Sequence, residues 1–554
     1  MAVAHRPVTV RHLGDQYVQS YHCIGIYSER LPCVVVHDAS STKKLSMKAL
    51  VSDCIRQAAQ LHPDKTAIVA DGRRISYSEL DQRAQSLACK LVWMGVKRGE
   101  RVAIVSENSI EYFIVMFAVW RAAGVLATIF PTFGATELTY AFRNATPRLI
   151  LVEQERLAAV QSALLETGLN FEVRVIGPDQ LLEDVEPVNV ALPMAMLGDP
   201  GIISYTSGTS GRPKPVTHTH GSLALGPQIY ASIWHMTEHD VFFVPMPLAW
   251  LAGVVTTSLV ALSVGATVAL ARRFKDADAL RVLVEERVTF FFGVTTMYVK
   301  LLQYIKTLPV APELLLRCCI AGGEPRNEPA FEEWQRVAGA AVLDCYASAE
   351  CFPVATYDPS IDPIPRLGSG GRLLDGVQLR LLRPDGTEAA AGEVGEAQVR
   401  SPVMMHGYWG EPDLTEAAFT DDGWYRLGDY LRIDEDGYVF VVGRASDMII
   451  RGGANVSPAE VESVLVRFAG VAEAAVVGLP DAVFGQSVAA AIVPAVGAQV
   501  DLNALKIYCS SELAHYKVPA LVVLFGTLPR NNAGKVVRRH VIPMIEELRE
   551  KGTL

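Results

Sequence analysis

The feature that most constrains the fold is an alternation of strand-like and helix-like segments that runs from about Leu45 to Leu343. Strand-like runs such as TAIVAD, RVAIVS and VLATIF are separated by segments whose apolar residues recur at helical spacing. Ser76 and Glu79 form a capping box that predicts the start of one helix, and Gly95 predicts its end. Strands that alternate with helices predict a doubly wound, mostly parallel α/β sheet.

The pattern changes after residue 375, where short strands are separated by turns such as PDG, DDG and DEDG. This pattern predicts a small β-rich subdomain at about 375–443. Charges and glycines in RASDMIIRGGANVS then indicate a domain boundary and a hinge. The sequence therefore predicts an N-terminal extension of unknown role (1–46), a large α/β domain (47–443) and a small, mobile α+β domain (444–554).

Composition and charge exclude several classes of protein. Half of the 554 residues are hydrophobic and a fifth are charged, as in folded proteins. The formal net charge of −10 provides no basic field for nucleic acid. The longest apolar tract, Val254–Ala271, is interrupted by polar residues, so we expect no membrane span. Nine cysteines without a CxxC pair favour a reducing compartment, and we expect a cytoplasmic protein that is a monomer or a homodimer.

The segment TSGTSGRPKPVTHTH, at 206–220, has the composition of a phosphate-binding loop. Gly208 and Gly211 allow backbone amides to approach an anion, and Lys214 adds a positive charge. The serine and threonine hydroxyls add further donors. A solvated linker is the alternative for an isolated run of this kind.

A Walker A loop is a second alternative, and the prolines of this segment argue against it. In that motif the lysine follows a glycine and precedes a serine or threonine that binds magnesium. Here Pro213 lacks the amide that would face a phosphate, and Pro215 lacks the hydroxyl.

Seven motifs in order across roughly residues 48–545 resemble the adenylate-forming superfamily of acyl-CoA synthetases, peptide-synthetase adenylation domains and luciferases. They are YTSGTSGRPKPVTHTH (205–220), AGGEP (321–325), YASAE (346–350), GEVGE (392–396), GWYRLGD (423–429), GRASDMIIRGG (443–453) and NNAGKVVRR (531–539).

The resemblance implies an enzyme that uses ATP, Mg²⁺ and coenzyme A. A carboxylic acid would attack the α-phosphorus of ATP and release pyrophosphate, and a thiol would then capture the acyl adenylate. The implied nucleotide-binding residues are Thr206, Ser207, Gly208, Thr209, Ser210, Gly211 and Lys214 for the phosphates, Gly322, Gly323 and Glu324 for the adenine, Tyr346, Ala347 and Ser348 beside it, and Asp429 and Arg444 for the ribose.

The resemblance also implies three catalytic side chains. Lys535 would reach the α-phosphate and the carboxylate from the small domain, Glu350 would coordinate Mg²⁺, and Lys214 would bind phosphate. The small domain would rotate at a hinge, Ser446, between the two half-reactions. After rotation, Gly452 and Gly453 would line the path of a phosphopantetheine arm, where missing side chains leave room.

Some residues depart from those common in the family. Pro215 removes an amide donor, and Ala349 lacks a hydroxyl near the AMP phosphate, a loss of about 0.5–1.5 kcal/mol for one hydrogen bond. Leu427 replaces a threonine, and Ser446 replaces the usual aspartate or lysine at the hinge.

Trp250 stands where acyl and aryl ligases often have histidine. The predicted wall of the acid pocket is largely apolar and comprises Trp250, Thr295, Met297, Gly322 and Ala347. Without an acidic residue near Ala249 to hold a substrate amine, an uncharged carboxylic acid is favoured over an amino acid. The alternative is that Trp250 is only a core residue.

The sequence therefore favours an AMP-forming acid–thiol ligase that acts on a small carboxylic acid and coenzyme A. One alternative is a stand-alone enzyme that loads the phosphopantetheine of a carrier protein. Another is a non-catalytic adenylate-binding homologue, suggested by Ala349, Leu427 and Ser446. The presence of Glu350, Asp429 and Lys535 argues against it.

Overall fold

The computed structural model describes residues 33–38, 41–46, 50–178, 180–183, 185–186, 189–206, 212–451, 454–481, 483–530 and 536–550. Its helices are α1 (Asp53–Leu61), α2 (Tyr77–Trp93), α3 (Ile110–Arg121), α4 (Ala135–Ala145), α5 (Leu157–Thr167), α6 (His220–Ile233), α7 (Leu259–Ser263), α8 (Asp276–Glu285), α9 (Thr295–Ile305), α10 (Glu328–Ala338), α11 (Pro412–Ala418), α12 (Pro458–Leu465), α13 (Leu502–Glu512) and α14 (Arg538–Glu550).

The strands up to residue 293 are β1 (Cys33–Asp38), β2 (Ser41–Ser46), β3 (Thr66–Ala70), β4 (Arg73–Ser76), β5 (Arg101–Val105), β6 (Val125–Ile129), β7 (Leu149–Glu153), β8 (Glu172–Ile176), β9 (Pro200–Thr206), β10 (Lys214–Thr219), β11 (Val241–Val244), β12 (Thr267–Leu270) and β13 (Phe290–Gly293).

The later strands are β14 (Cys318–Gly322), β15 (Val342–Tyr346), β16 (Ala355–Thr356), β17 (Ser369–Leu373), β18 (Gln378–Leu382), β19 (Val394–Arg400), β20 (Gly407–Tyr408), β21 (Tyr425–Ile433), β22 (Tyr438–Arg444), β23 (Ile449–Arg451), β24 (Ala454–Val456), β25 (Val471–Asp481), β26 (Gly485–Pro494) and β27 (Leu521–Leu524).

The first large sheet has seven strands in the order β20-β10-β9-β6-β5-β7-β8. Strands β9, β6, β5, β7 and β8 run parallel to one another. Strands β10 and β20 extend the sheet in antiparallel pairing. The predicted alternation of strands and helices is confirmed in this part of the chain.

The second large sheet has thirteen strands in the order β18-β19-β21-β22-β17-β16-β15-β14-β13-β11-β12-β3-β4. Strands β3, β12, β11, β13, β14 and β15 run parallel to one another. Strands β16, β17, β22, β21, β19 and β18 pair in antiparallel fashion with their neighbours. The predicted β-rich region therefore continues the parallel sheet through β16 and β17. Short strands and turns in the sequence do not reveal this edge pairing.

Helix α3 explains how the large domain buries a core between elements of both sheets. All twelve of its residues are buried, and all but Glu111 and Arg121 are apolar or aromatic, which fits a helix that is enclosed on every side. Its side chains share one core cluster with Val102 and Leu126 of the first sheet and Val244 and Val268 of the second. Ser109 caps its first turn by accepting from the amide of Tyr112.

Local signals in the sequence set several element boundaries correctly. Ser76 accepts a hydrogen bond from the amide of Glu79 at the start of α2, and Gly95 follows the helix with a φ of +92°. The tract 254–271 forms a π-helical segment (Ala252–Ser258), α7 and β12. Within the described ranges, no helix has both the length and the apolar composition that crossing a bilayer requires.

The C-terminal region is an α+β unit, as predicted. Its sheet contains β24, β23, β26 and β25, and β27 pairs with β26. Helix α12 packs on β25 and, with α13, encloses one apolar cluster, while α14 covers a second cluster on β25. The domain boundary at residue 443 and the mobility of this unit remain predictions.

Candidate active site

The phosphate loop connects two antiparallel strands. Thr206 at the end of β9 pairs with Lys214 at the start of β10, so the intervening residues span the end of a hairpin. A Walker A loop leads from a strand into a helix, and the hairpin therefore argues further against that alternative. The loop residues Ser207, Gly208, Thr209, Ser210 and Gly211 lie outside the described part of the chain.

Glu350 is oriented by the hydroxyl of Tyr408 and by a backbone hydrogen bond. The Tyr408 hydroxyl donates to Glu350 Oε1 at 2.9 Å, and the Met405 amide donates to the Glu350 carbonyl at 2.7 Å. Tyr408 lies on β20, where it pairs with Val216 of β10. The Lys214 Nζ lies 5.4 Å from the centre of the Tyr408 ring. The structure therefore links Glu350 to the phosphate hairpin through Tyr408.

Asp429 and Arg444 face one another across paired strands β21 and β22. Arg444 Nε lies 2.9 Å from Asp429 Oδ1, and the carboxylate of Asp429 is almost fully buried. The Tyr346 hydroxyl donates to the other oxygen of Asp429. Burial raises the pKa of Tyr346, which keeps this hydroxyl protonated as a donor. The structure thus brings together three residues that the sequence assigns to the nucleotide.

The turn at Gly322 and Gly323 allows a close approach of backbone and ring. A Cβ at Gly322 would lie 2.9 Å from the carbonyl oxygen of Cys345, so a larger residue would clash with β15. Gly323 has a φ of +80°, a conformation that favours glycine. Glu324 Oε2 accepts from the amide of Thr296 at 2.8 Å. The carboxylate of Glu324 is therefore engaged at the start of α9, and the adenine contact of this residue remains a prediction.

A cavity of about 80 Å³ lies beside this turn. Of the described side chains that line it, none carries a charge, and the polar groups are hydroxyls, a thiol and the indole N–H of Trp250. Its lining comprises Tyr230, Trp250, Leu251, Ala252, Thr256, Phe292, Gly322, Gly323, Cys345, Ala347, Ser348, Ala349 and Phe352. The structure thus places Trp250, Gly322 and Ala347 around one cavity, and their contact with an acid remains a prediction.

Thr295 and Met297 are not among the residues that line this cavity, and their place in the wall of the acid pocket remains a prediction. The Thr295 hydroxyl donates to the Pro325 carbonyl at 2.9 Å at the start of α9. Met297 packs against two core clusters, one of which contains the cavity-lining residues Phe292 and Cys345. Phe292 and Cys345 line the cavity although the sequence analysis missed them. Phe292 follows the alternation of strand β13 and could have been found there, whereas Tyr230 and Thr256 come from distant helical turns.

The segment between the domains forms a compact turn after β22. The Ala445 amide donates to the Gly428 carbonyl at 2.9 Å, and the exposed Ser446 donates to Asp447 at 3.1 Å. Arg538 connects this turn to the small domain, with its Nη1 at 3.1 Å from Asp447 Oδ2. The hinge role of Ser446 remains a prediction. Gly452, Gly453 and Lys535 lie outside the described residues.

A buried histidine follows the phosphate hairpin at the start of α6. His220 is fully buried, and neither of its ring nitrogens has a hydrogen-bond partner among the described residues. Burial lowers the pKa of His220 to about 4, although the charges of Asp199 and Asp53 act in the opposite direction. The imidazole is therefore neutral at pH 7.

Replacing His220 by leucine is expected to make the protein more resistant to acid. Above pH 6.5 the imidazole is neutral in both the folded and the unfolded chain, and it does not reduce the free energy of unfolding. As the pH falls from 6.5 toward 4, only the unfolded chain binds the proton, so the free energy of unfolding decreases. The difference between a pKa of 6.5 in the unfolded chain and about 4 in the folded protein lowers the free energy of unfolding by about 3 kcal/mol at pH 4. Melting temperatures between pH 7 and pH 4.5 should fall less steeply in His220→Leu.

The matched control for this prediction is His239→Leu, since the side chain of His239 is 87% exposed. Its melting temperatures should follow those of the unchanged protein at every pH. Parallel curves for His220→Leu and the unchanged protein would contradict the assigned burial effect.

Comparison with known proteins identifies the family of this chain independently of the site geometry. Residues 55–409 match the AMP-binding enzyme family, and residues 460–535 match the AMP-binding enzyme C-terminal domain. A feruloyl-CoA synthase of Amycolatopsis sp is 34% identical and covers 87% of this chain and 96% of its own length. The long-chain-fatty-acid–CoA ligase FadD13 of Mycobacterium tuberculosis is 31% identical with the same two coverages, 87% and 96%.

A solved structure agrees with these sequence relationships. ATP-bound MatB from Rhodopseudomonas palustris superposes with a TM-score of 0.82 at 31% identity, covering 90% of this chain and 99% of MatB. The predicted fold class and the resemblance to adenylate-forming enzymes are confirmed. From these matches and the fold of both domains, the chain belongs to the AMP-binding enzyme family.

Proposed function

We propose that this protein is an ATP-dependent acid–thiol ligase that activates a compact, uncharged carboxylic acid and transfers the acyl group to coenzyme A. The observation that carries the proposal is the position of the turn Tyr346–Glu350. Tyr346 contacts Asp429, Ala347 lines the apolar cavity, and Glu350 is held by Tyr408 beside Lys214. One turn thus joins the groups that we assign to ribose, acid and phosphate.

In the first half-reaction a carboxylate oxygen of the acid forms a bond to the α-phosphorus of ATP. The bond between that phosphorus and the bridging oxygen of pyrophosphate breaks, and pyrophosphate leaves. Lys214 and the phosphate hairpin would bind the phosphates, and Asp429 would bind the ribose hydroxyls. Their role is to bring two anions together and to stabilise the charge that concentrates on the α-phosphate.

In the second half-reaction the sulfur of the thiol attacks the acyl carbon of the adenylate. The bond from that carbon to the AMP oxygen breaks, the thiol proton is released, and AMP leaves. We assign Ser446 as the hinge at which the small domain rotates between the two steps. The rotation would remove Lys535 from the active site and bring Gly452 and Gly453 there instead. The compact turn between Arg444 and Asp447 is consistent with this assignment because its exposed residues can change conformation without opening a core.

The chemistry at Glu350 fits a magnesium ion. Mg²⁺ prefers oxygen ligands and is commonly held by one or two carboxylates together with substrate phosphates. Glu350 offers one carboxylate that is oriented by the Tyr408 hydroxyl on the side of the phosphate hairpin. The bound ion would neutralise phosphate charge, and Glu350 would hold it near Lys214.

The cavity supports an acid with a small apolar group. A cavity of roughly 150 Å³ holds a benzene molecule, and this one measures about 80 Å³. An ionised group on the substrate would be buried there without a charged partner among the lining residues, which is unfavourable. The feruloyl and long-chain fatty-acid relatives act on different acids, so the substrate is inferred from the cavity.

The experiment is acid-dependent exchange of labelled pyrophosphate into ATP over a panel of carboxylic acids, followed by product analysis. We expect exchange with compact uncharged acids, and an acyl-CoA product when free coenzyme A is added. Exchange without an acyl-CoA product, but with transfer to a phosphopantetheine-bearing carrier protein, would replace the proposed acceptor. A protein that binds ATP but shows no exchange with any acid would be the non-catalytic homologue.

A further inference from the structure

A second buried histidine, His218, contacts the same turn that carries Glu350. It lies on β10, four residues after Lys214, and its side chain is fully buried. Its Nε2 lies 2.7 Å from the carbonyl oxygen of Ala349. Its ring lies 4.5 Å from the ring of Phe352, centre to centre. The imidazole therefore fills the space between the phosphate hairpin and the turn.

The hydrogen bond fixes the protonation of the ring. A carbonyl oxygen only accepts, so Nε2 must carry the proton, and Nδ1 is then the acceptor in the neutral ring. Burial lowers the pKa of His218 to about 4, so the ring is neutral at pH 7. Ser222 Oγ lies 3.3 Å from Nδ1 and completes the environment of the ring.

Strand β10 and its neighbour β20 hold the turn at two adjacent points. His218 binds the carbonyl of Ala349, and Tyr408, paired with Val216, binds the carboxylate of Glu350. Strand β10 begins at Lys214. The peptide group between Ala349 and Glu350 is thus anchored to the strand that leads from the phosphate loop.

We propose that His218 is a positioning residue that sets the Glu350 carboxylate relative to the phosphate hairpin through its hydrogen bond to the Ala349 carbonyl. The inference rests on the proposed function, because it takes Glu350 as the magnesium ligand. Without the bond, the partly buried carbonyl of Ala349 would have one partner fewer, and the turn would adjust to satisfy it. Glu350 would then lie off the position at which it meets Mg²⁺ and the phosphates.

The test compares His218→Leu with His218→Gln. Leucine fills the site but cannot donate, whereas the glutamine amide can donate to the same carbonyl. We expect His218→Leu to raise the Mg²⁺ concentration for half-maximal pyrophosphate exchange about tenfold, which is about 1.4 kcal/mol. The rate at saturating Mg²⁺ should change less than threefold, and His218→Gln should recover most of the Mg²⁺ affinity.

A second readout is independent of turnover. Calorimetric titration with ATP and Mg²⁺, with no acid present, should show the same order of affinities: unchanged protein, His218→Gln, then His218→Leu. The matched control is His220→Leu, which removes a buried imidazole two residues away without removing a hydrogen bond. It should leave the Mg²⁺ dependence unchanged.

The outcomes separate positioning from simple packing. An unaltered Mg²⁺ dependence in His218→Leu, an equal loss in the leucine and glutamine variants, or an equal loss in His220→Leu would each overturn the inference. If His218→Leu does not fold, His218→Asn replaces it, because its shorter amide does not reach the Ala349 carbonyl. Failure of the proposed function is seen separately, as an absence of exchange in the unchanged protein, and the calorimetric comparison still decides the role of His218.

Discussion

Replacing Lys535 by alanine is expected to reduce acid-dependent pyrophosphate exchange about 10³-fold, in line with the loss of one strong electrostatic contact to a transition state. The physical reason is that charge concentrates on the α-phosphate and the attacking oxygen as the new bond forms. A cation placed there stabilises the transition state more than the bound substrates. Because the proposed contact exists only in the adenylation geometry, the second half-reaction should be affected much less.

The measurement follows both half-reactions. Exchange rates report adenylation, and thioester formation from chemically prepared acyl adenylate reports transfer, which should change by less than about tenfold. Lys506→Ala is the control, since Lys506 is exposed on α13 of the same domain. Full exchange activity in Lys535→Ala would remove the catalytic assignment. Equal losses in both half-reactions would indicate a general defect of the small domain instead.

Replacing Trp250 by alanine is expected to change the acid preference. Trp250 lines the cavity of about 80 Å³ and lies against the turn at Gly323, where a Cβ would be 3.7 Å from its ring. Removing the indole enlarges the cavity, so kcat/KM for bulkier acids should rise about 10–100-fold, a range typical of fitting one or more additional carbons. For the smallest acids kcat/KM should fall, because their contacts are lost.

The measurement is kcat/KM over a homologous series of straight-chain and aromatic acids. Trp250→Phe keeps most of the wall and should lie between the alanine variant and the unchanged protein. Trp93→Ala provides a control for tryptophan removal, since Trp93 is 62% exposed at the end of α2. An unchanged preference in Trp250→Ala would show that Trp250 acts only as a core residue, which is the alternative that the sequence left open.

The fold was largely predictable because its signals are local. Ser76 and Gly95 marked a helix correctly, and the alternation of TAIVAD, RVAIVS and VLATIF with helices indicated parallel sheets. The site was only partly predictable. Asp429 and Arg444 meet as neighbours in paired strands, whereas the places of Thr295 and Met297 in the wall of the acid pocket remain predictions.

The amino-acid sequence by itself determined the class of fold, the order of the motifs and the family, because residue periodicity and short motifs are properties of neighbouring residues. Only the tertiary structure decided that the β-rich region extends the parallel sheet and that His218 reaches Ala349, which is 131 residues away. Such contacts depend on how strands pair and how helices pack over them. A pattern of local burial does not specify which distant residue completes a hydrogen bond.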